Sequence, residues 1–119
     1  MVEKARHMLP EARFYVGMAE SLPLPDYSVD VVLSTASFYH WADQAAGVRE
    51  IARVLRLDGQ AIIADIVMPK GLSLIVRHFR RNDPVKTREM FVQAGLEVTA
   101  QYKRMVRLLV MTVGKKTPT

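Results

Sequence analysis

Leu22 to Ser34 reads LPLPDYSVDVVLS, and its reading decides the fold. Two prolines and the turn formers Asp26 and Ser28 lead to Asp30 and the unbroken apolar run Val31-Val32-Leu33. A short run rich in β-branched residues suits a strand buried on both faces, as in a parallel sheet covered by helices. It ends on the small polar residues Ser34 and Thr35, and open α/β sheets place their ligands at that end of a strand. The stretch therefore predicts a strand over Val29–Leu33 whose exit loop forms the floor of a binding site.

The rest of the composition bounds what that site can be. The chain has 119 residues, half of them apolar, which is one domain with enough material for a core. It has no cysteine, so disulfides and thiolate metal sites are excluded, and a reducing cytoplasm is the expected compartment. The N-terminus lacks the order of a signal peptide, and no apolar run is long enough for a membrane helix. Charge is uneven, with a net −2 over residues 1–59 and +7 over residues 60–119. A basic half can serve nucleic acid, but no helix-turn-helix, zinc-finger or aromatic-rich RNA-binding pattern accompanies it. The expectation is a solvated basic surface and no nucleic-acid or membrane partner.

Working outward, Met1 to Leu9 has Val2, Ala5 and Met8 on one helical face and ends before Pro10, with no capping residue ahead of it. Arg13 to Gly17 has strand propensity. After the central strand, Asp43 can cap a helix whose apolar stripe is Ala45, Val48, Ile51, Ala52 and Leu55. Arg49, Glu50, Arg53 and Arg56 take its wet side. Asp58-Gly59 turns the chain into a second buried strand, Gln60–Val67. A short helix is predicted over Leu72–Arg81, and Asp83-Pro84 starts another that Gly95 stops. Alternation from Leu96 to Tyr102, a turn near Lys103-Arg104 and Val106–Val113 predict an antiparallel hairpin. Residues 1–114 form the domain and 115–119 a disordered tail. The fold class is α/β with a C-terminal antiparallel hairpin.

GMAESLPLPDYSVDVVLS, FYHWAD, REIARVLRLDGQAIIAD and FVQAGLEV together resemble the later blocks of class I S-adenosylmethionine-dependent methyltransferases, in the small-molecule branch with the quinone-biosynthesis enzymes. The resemblance covers nearly all of the chain. It implies a Rossmann-like sheet in which Arg13–Gly17, Val29–Leu33, Gln60–Val67, Leu96–Tyr102 and Val106–Val113 are the family's strands three to seven. It implies S-adenosylmethionine as cofactor and a small-molecule methyl acceptor.

The departures from the family pattern carry their own expectations. Met1 falls where the family begins the helix after its second strand, so the glycine-rich loop and the ribose-binding acidic residue have no counterpart here. The expectation is a chain impaired in cofactor binding and catalysis. The alternative is a non-catalytic remnant acting as an interaction or self-associating module. In the family's strand order the missing strands lie beside Val29–Leu33, so that strand's edge is expected to be open. It would then either template a homo-oligomer or take Arg13–Gly17 as a neighbour. Met18 stands where the family has an adenine-binding aspartate, and Leu57-Asp58-Gly59 replaces Pro-Gly-Gly.

Methyl transfer needs placement more than covalent help, with a proton acceptor in some cases. Met18 as an apolar wall and Ala19 through its N–H resemble the adenine side, though an ordinary strand exit would look the same. Ser34, Thr35 and Ala36 resemble the cofactor floor. His40 is the candidate base, or it packs on Trp41. Phe38, Tyr39 and Trp41 line an acceptor pocket or belong to the core. Asp30 and Asp65 read as structural residues. His7 and His78 carry no metal-ligand pattern, so no metal is expected. A dinucleotide-binding domain is the other enzyme class considered, and no GxGxxG supports it.

Overall fold

The computed structural model describes residues 2–35, 37–66, 84–104 and 109–117. The predicted helix at Leu72–Arg81, together with Ala36, His78 and Asp83, lies outside the described residues. So do the side chains of Tyr39 and Asp65.

Among the described residues seven elements follow one another: α1 (Val2–Met8), β1 (Val29–Thr35), α2 (Gln44–Val54), β2 (Leu55–Ile66), α3 (Pro84–Gln93), β3 (Leu96–Arg104) and β4 (Leu109–Lys116). A single 3-10 turn, Phe38–His40, sits between β1 and α2. The four strands make one sheet in the order β1-β2-β4-β3. β1 and β2 are parallel, whereas β4 is antiparallel to both β2 and β3. This is the mixed α/β arrangement with a terminal hairpin that the sequence predicts.

α2 forms because Asp43 caps it and its stripe has somewhere to go. The Asp43 carboxylate accepts the Ala46 N–H at 3.0 Å, and Val48, Ile51, Ala52 and Leu55 are all buried. Facing them from the sheet are Ala61 and Ile63 of β2, with Phe91 of α3 and Leu96 of β3 completing the core. α3 ends where Gly95 takes φ +89°, a left-handed conformation that costs glycine little. α2 passes into β2 without a loop. Val29 pairs with Leu55 and Val31 with Gln60, so residues 56–59 bulge out of the ladder. Asp58, at φ +66°, makes that bulge, which is where the sequence predicts a turn.

Register assigns the two faces. Val32 and Ser34 share the helix-covered face with Ala61 and Ile63, while Val31 and Leu33 share the other with Gln60 and Ile62. Val31 is 57% and Leu33 64% exposed. β1 is therefore not buried on both faces as its composition suggests; it is an edge strand covered on one side.

Four further corrections follow. Arg13–Gly17 is not a strand: it has no ladder partner among the described residues, and strand propensity without a partner is not enough. Nor does it pair with β1. The expected turn at Lys103-Arg104 is still strand, since Arg104 pairs with Leu109. The expected tail is partly ordered, because Lys115 pairs with Gln60 and Glu97 and Lys116 with Leu96. The shared face of Val2, Ala5 and Met8 on α1 finds no core: Met8 is 69% exposed, and no residue of that helix is buried.

Candidate cofactor cleft

At the carboxyl end of β1 a cavity of about 300 Å³ opens between the strand, the loop before it and the start of α2. Val32, Leu33, Ser34 and Thr35 form its floor. Ala19 and Leu22 close it from the preceding loop, and Ser37, Trp41 and Ile51 from the following elements. Its volume lies at the small end of the range for small-molecule pockets, about 300–1,000 Å³. No charged side chain is among the described residues that line it.

Each wall has a local cause. Ser34 and Ser37 Oγ atoms lie 2.9 Å apart, which ties the end of β1 to the 3-10 turn. That turn buries Phe38, whose ring meets Trp41 edge to face at 5.0 Å. Trp41 can lie against α2 only because residue 47 is glycine. A Cβ there would fall inside the van der Waals surface of the Trp41 ring. The Met18–Ser21 turn, closed by the Ser21 N–H donating to the Met18 carbonyl at 3.0 Å, presents Ala19 to the cavity.

The loop wall is held from α2. The Leu22 N–H donates to Glu50 Oε2 at 2.7 Å, and Arg53 Nη2 donates to the Leu22 carbonyl at 3.2 Å. Arg53 is itself forked on the Glu50 carboxylate at 2.7 and 2.9 Å and reaches Asp26 at 2.7 Å. The Arg53 guanidinium hydrogen bond holds the Glu50 carboxyl below its ordinary value, helped by the Leu22 N–H against partial burial. Glu50 and Asp26 in turn raise the Arg53 pKa. Nearby, Lys116 Nζ donates to the carbonyls of Ala52 and Leu55 at 2.6 and 2.9 Å and lies 3.9 Å from the Tyr27 ring centroid. Burial lowers its pKa, with Asp26 acting in the opposite direction. Together with Tyr27 N–H on the Arg53 carbonyl and Ser28 N–H on that of Val54, it satisfies the C-terminal carbonyls of α2.

Of the residues singled out from sequence, Ala19, Ser34 and Thr35 come together in one cavity. Met18 is not part of its lining and is 63% exposed, and His40, exposed at the end of the 3-10 turn, is not part of it either. Phe38 is core; Trp41 belongs to the cavity. Asp30 is on the surface, 3.2 Å from Arg56. Sequence reasoning missed Ser37 and Ile51 as lining residues, and it placed Glu50 and Arg53 on a wet face. The cue was there in the three-residue spacing of Glu50 and Arg53, but only the fold shows that a loop nearly thirty residues earlier lies across them.

In open α/β sheets ligands bind outside the carboxyl ends of the strands, and this cavity lies at such an end of a parallel strand. A methyltransferase-domain family profile matches residues 1–63. The chain belongs to the class I S-adenosylmethionine-dependent methyltransferase family. It is 39% identical over 97 residues to the uncharacterized methyltransferase YcgJ of Bacillus subtilis, spanning 75% of this chain and 38% of that protein. It is 33% identical over 69 residues to the demethylmenaquinone methyltransferase of Thermotoga maritima, spanning 58% of this chain and 30% of that one. The chain thus covers well under half the length of these relatives. Its fold superposes on the solved structure of YcgJ with a TM-score of 0.76 and 23% identity, covering all of this chain and 79% of that one. The TM-score is 0.85, at 25% identity, against a chain from the Haloferax volcanii complex of the Trm112 methyltransferase activator, with 99% and 68% covered.

Proposed function

We propose that this chain carries one wall of the cofactor site of a small-molecule methyltransferase, and that the cavity at the end of β1 is that wall. The observation that carries the reading is the convergence of Ala19, Ser34 and Thr35 on one cavity in a chain of this family. The lining fits part of S-adenosylmethionine. Small residues and hydroxyls give a flat group close approach, Trp41 adds aromatic surface to the lining, and the Ser34 and Thr35 hydroxyls can donate or accept. Among the described lining residues there is no carboxylate for the ribose hydroxyls and no charged group for the methionine end. When bound, S-adenosylmethionine supplies an electrophilic methyl group on sulfur. The chain's own share is to seat the adenine side and exclude water from it. His40, one residue from Trp41, is the candidate proton acceptor on the acceptor's side. Similarity to the demethylmenaquinone and 2-methyl-6-phytyl-1,4-hydroquinone methyltransferases supports an aromatic quinol-type acceptor.

The 119-residue chain by itself is then a poor cofactor binder, since apolar contact alone seldom holds a polar ligand. Isothermal titration with S-adenosylmethionine should give a dissociation constant of about 1 mM or weaker. Micromolar binding would contradict the impairment, and no binding at tens of millimolar would contradict the cofactor assignment. A second reading, a self-associating module with no catalysis, is favoured by one observation. Among the described residues β1 ends the sheet with no partner on its outer edge, and it carries two exposed apolar side chains.

A further inference from the structure

We infer that Glu50 and Arg53 are positioning residues for the cleft: from α2 they grip the backbone of Leu22, and so hold the loop wall that carries Ala19. The inference rests on reading the cavity as the cofactor cleft. Both polar backbone groups of Leu22 are taken by these two side chains, the N–H by Glu50 and the carbonyl by Arg53. The loop's other backbone ties to α2 lie at its far end, where the Tyr27 and Ser28 N–H groups donate to the Arg53 and Val54 carbonyls. Between Ala12 and Ser28 the regular structure is one isolated bridge, Met18 with Ser21, and Met18, Pro23 and Pro25 are exposed. A second link acts in the same direction, because the Asp43 N–H donates to Glu20 Oε1 at 3.1 Å. Asp43 caps α2 with its side chain and anchors the loop with its backbone.

The arrangement is directional. Glu50 is fixed by its fork to Arg53, Arg53 is fixed on its far side by Asp26, and Asp26 belongs to the same loop. The guanidinium thus bridges Leu22 and Asp26, the two ends of the LPLPD segment. Lysine could pair with one carboxylate there but could not span both carboxylates and a carbonyl in one plane. Loss of either side chain leaves the helix intact and frees the loop. The cost should appear in the order of the Ala19–Leu22 wall and in ligand affinity more than in the core.

Amide NMR of the full chain, with adenosine as the probe, tests this in wild type, E50A, E50Q and R53K. In the wild type, adenosine should shift the Ala19, Leu22 and Thr35 amides and the Trp41 indole N–H. E50A and R53K should weaken adenosine by about tenfold, the scale of a charge-assisted hydrogen bond, and lower the heteronuclear NOEs of residues 18–26. Amides of α2 and α3 should stay in place. E50Q, whose amide oxygen can still accept from Leu22, should recover part of the loop order. Unchanged loop order and affinity in E50A or, should that variant not fold, in R53K would overturn the inference. A wild type that gives no response to adenosine, with the loop still loosened in E50A, would remove the cleft reading and leave only the mechanical clamp.

Discussion

Gly47 is the residue on which the cleft's aromatic wall depends. Alanine is the better helix former, and in an open helix the change would stabilise by about 1 kcal/mol. At position 47 the added methyl meets the Trp41 ring, and overpacking of that kind costs about 1–3 kcal/mol. Gly47→Ala should therefore destabilise by about 1 kcal/mol net and displace Trp41 toward the cavity. Thermal melting together with Trp41 emission checks both parts. A raised melting temperature with unchanged emission would show that the ring is free to move away.

At the scale of elements, the best-read parts of the sequence are those whose pattern is local. Asp43, the Val48-Ile51-Leu55 stripe and the Gly95 stop define α2 and the end of α3, because a helix is specified by its own next turn. The hairpin was legible from alternation, although its bounds were not. Lys115 and Lys116 look like a solvated tail, yet backbone pairing to Gln60, Glu97 and Leu96 does not depend on side-chain polarity. Arg13–Gly17 fails in the opposite sense: its composition suits a strand, and no neighbouring strand lies beside it among the described residues. For the cleft, Ala19, Ser34 and Thr35 were visible through family resemblance. The clamp on Leu22 was not, since it joins residues 28 and 31 positions apart.

The clamp has a pH dependence of definite sign. The Glu50 pKa is lowered in the fold, so its contribution is complete above its ordinary value of 4.5 and is lost as pH falls through the lower, folded value. Arg53 and Asp26 are the charged groups facing it, and Arg53 stays ionised throughout. Wild type should exceed E50Q in stability by about 1–2 kcal/mol at neutral pH, and the gap should begin to narrow below pH 4.5. Paired thermal melts from pH 7 to pH 3 would show it. A gap that does not narrow at all as pH falls below 4.5 would mean that the carboxylate's charge is not what holds the loop.

For the whole molecule, the shape follows from the layers. The extents are 42 × 40 × 24 Å, and the short axis is roughly what one sheet and one helix layer require. α2 and α3 cover one face of the sheet, and β1 stands at its end with Val31 and Leu33 exposed. Within the strand only Asp30 blunts the edge, and natural edge strands usually carry more protection than that. We expect the chain to form dimers or larger species in solution, with the β1 amides protected from exchange. Light scattering that reports a monomer, with those amides exchanging freely, would rule out self-association through β1. No helix among the described residues is long and apolar enough to cross a membrane.

The most direct test of the account uses the chain's single tryptophan, which lines the cavity. Titration with S-adenosylhomocysteine should change Trp41 emission along a saturable curve in the millimolar range, and Trp41→Phe should abolish the signal. The adenine side of the ligand would then lie on the floor made by β1. Emission that stays flat while calorimetry still detects binding would put the ligand elsewhere and contradict the cleft at the end of β1.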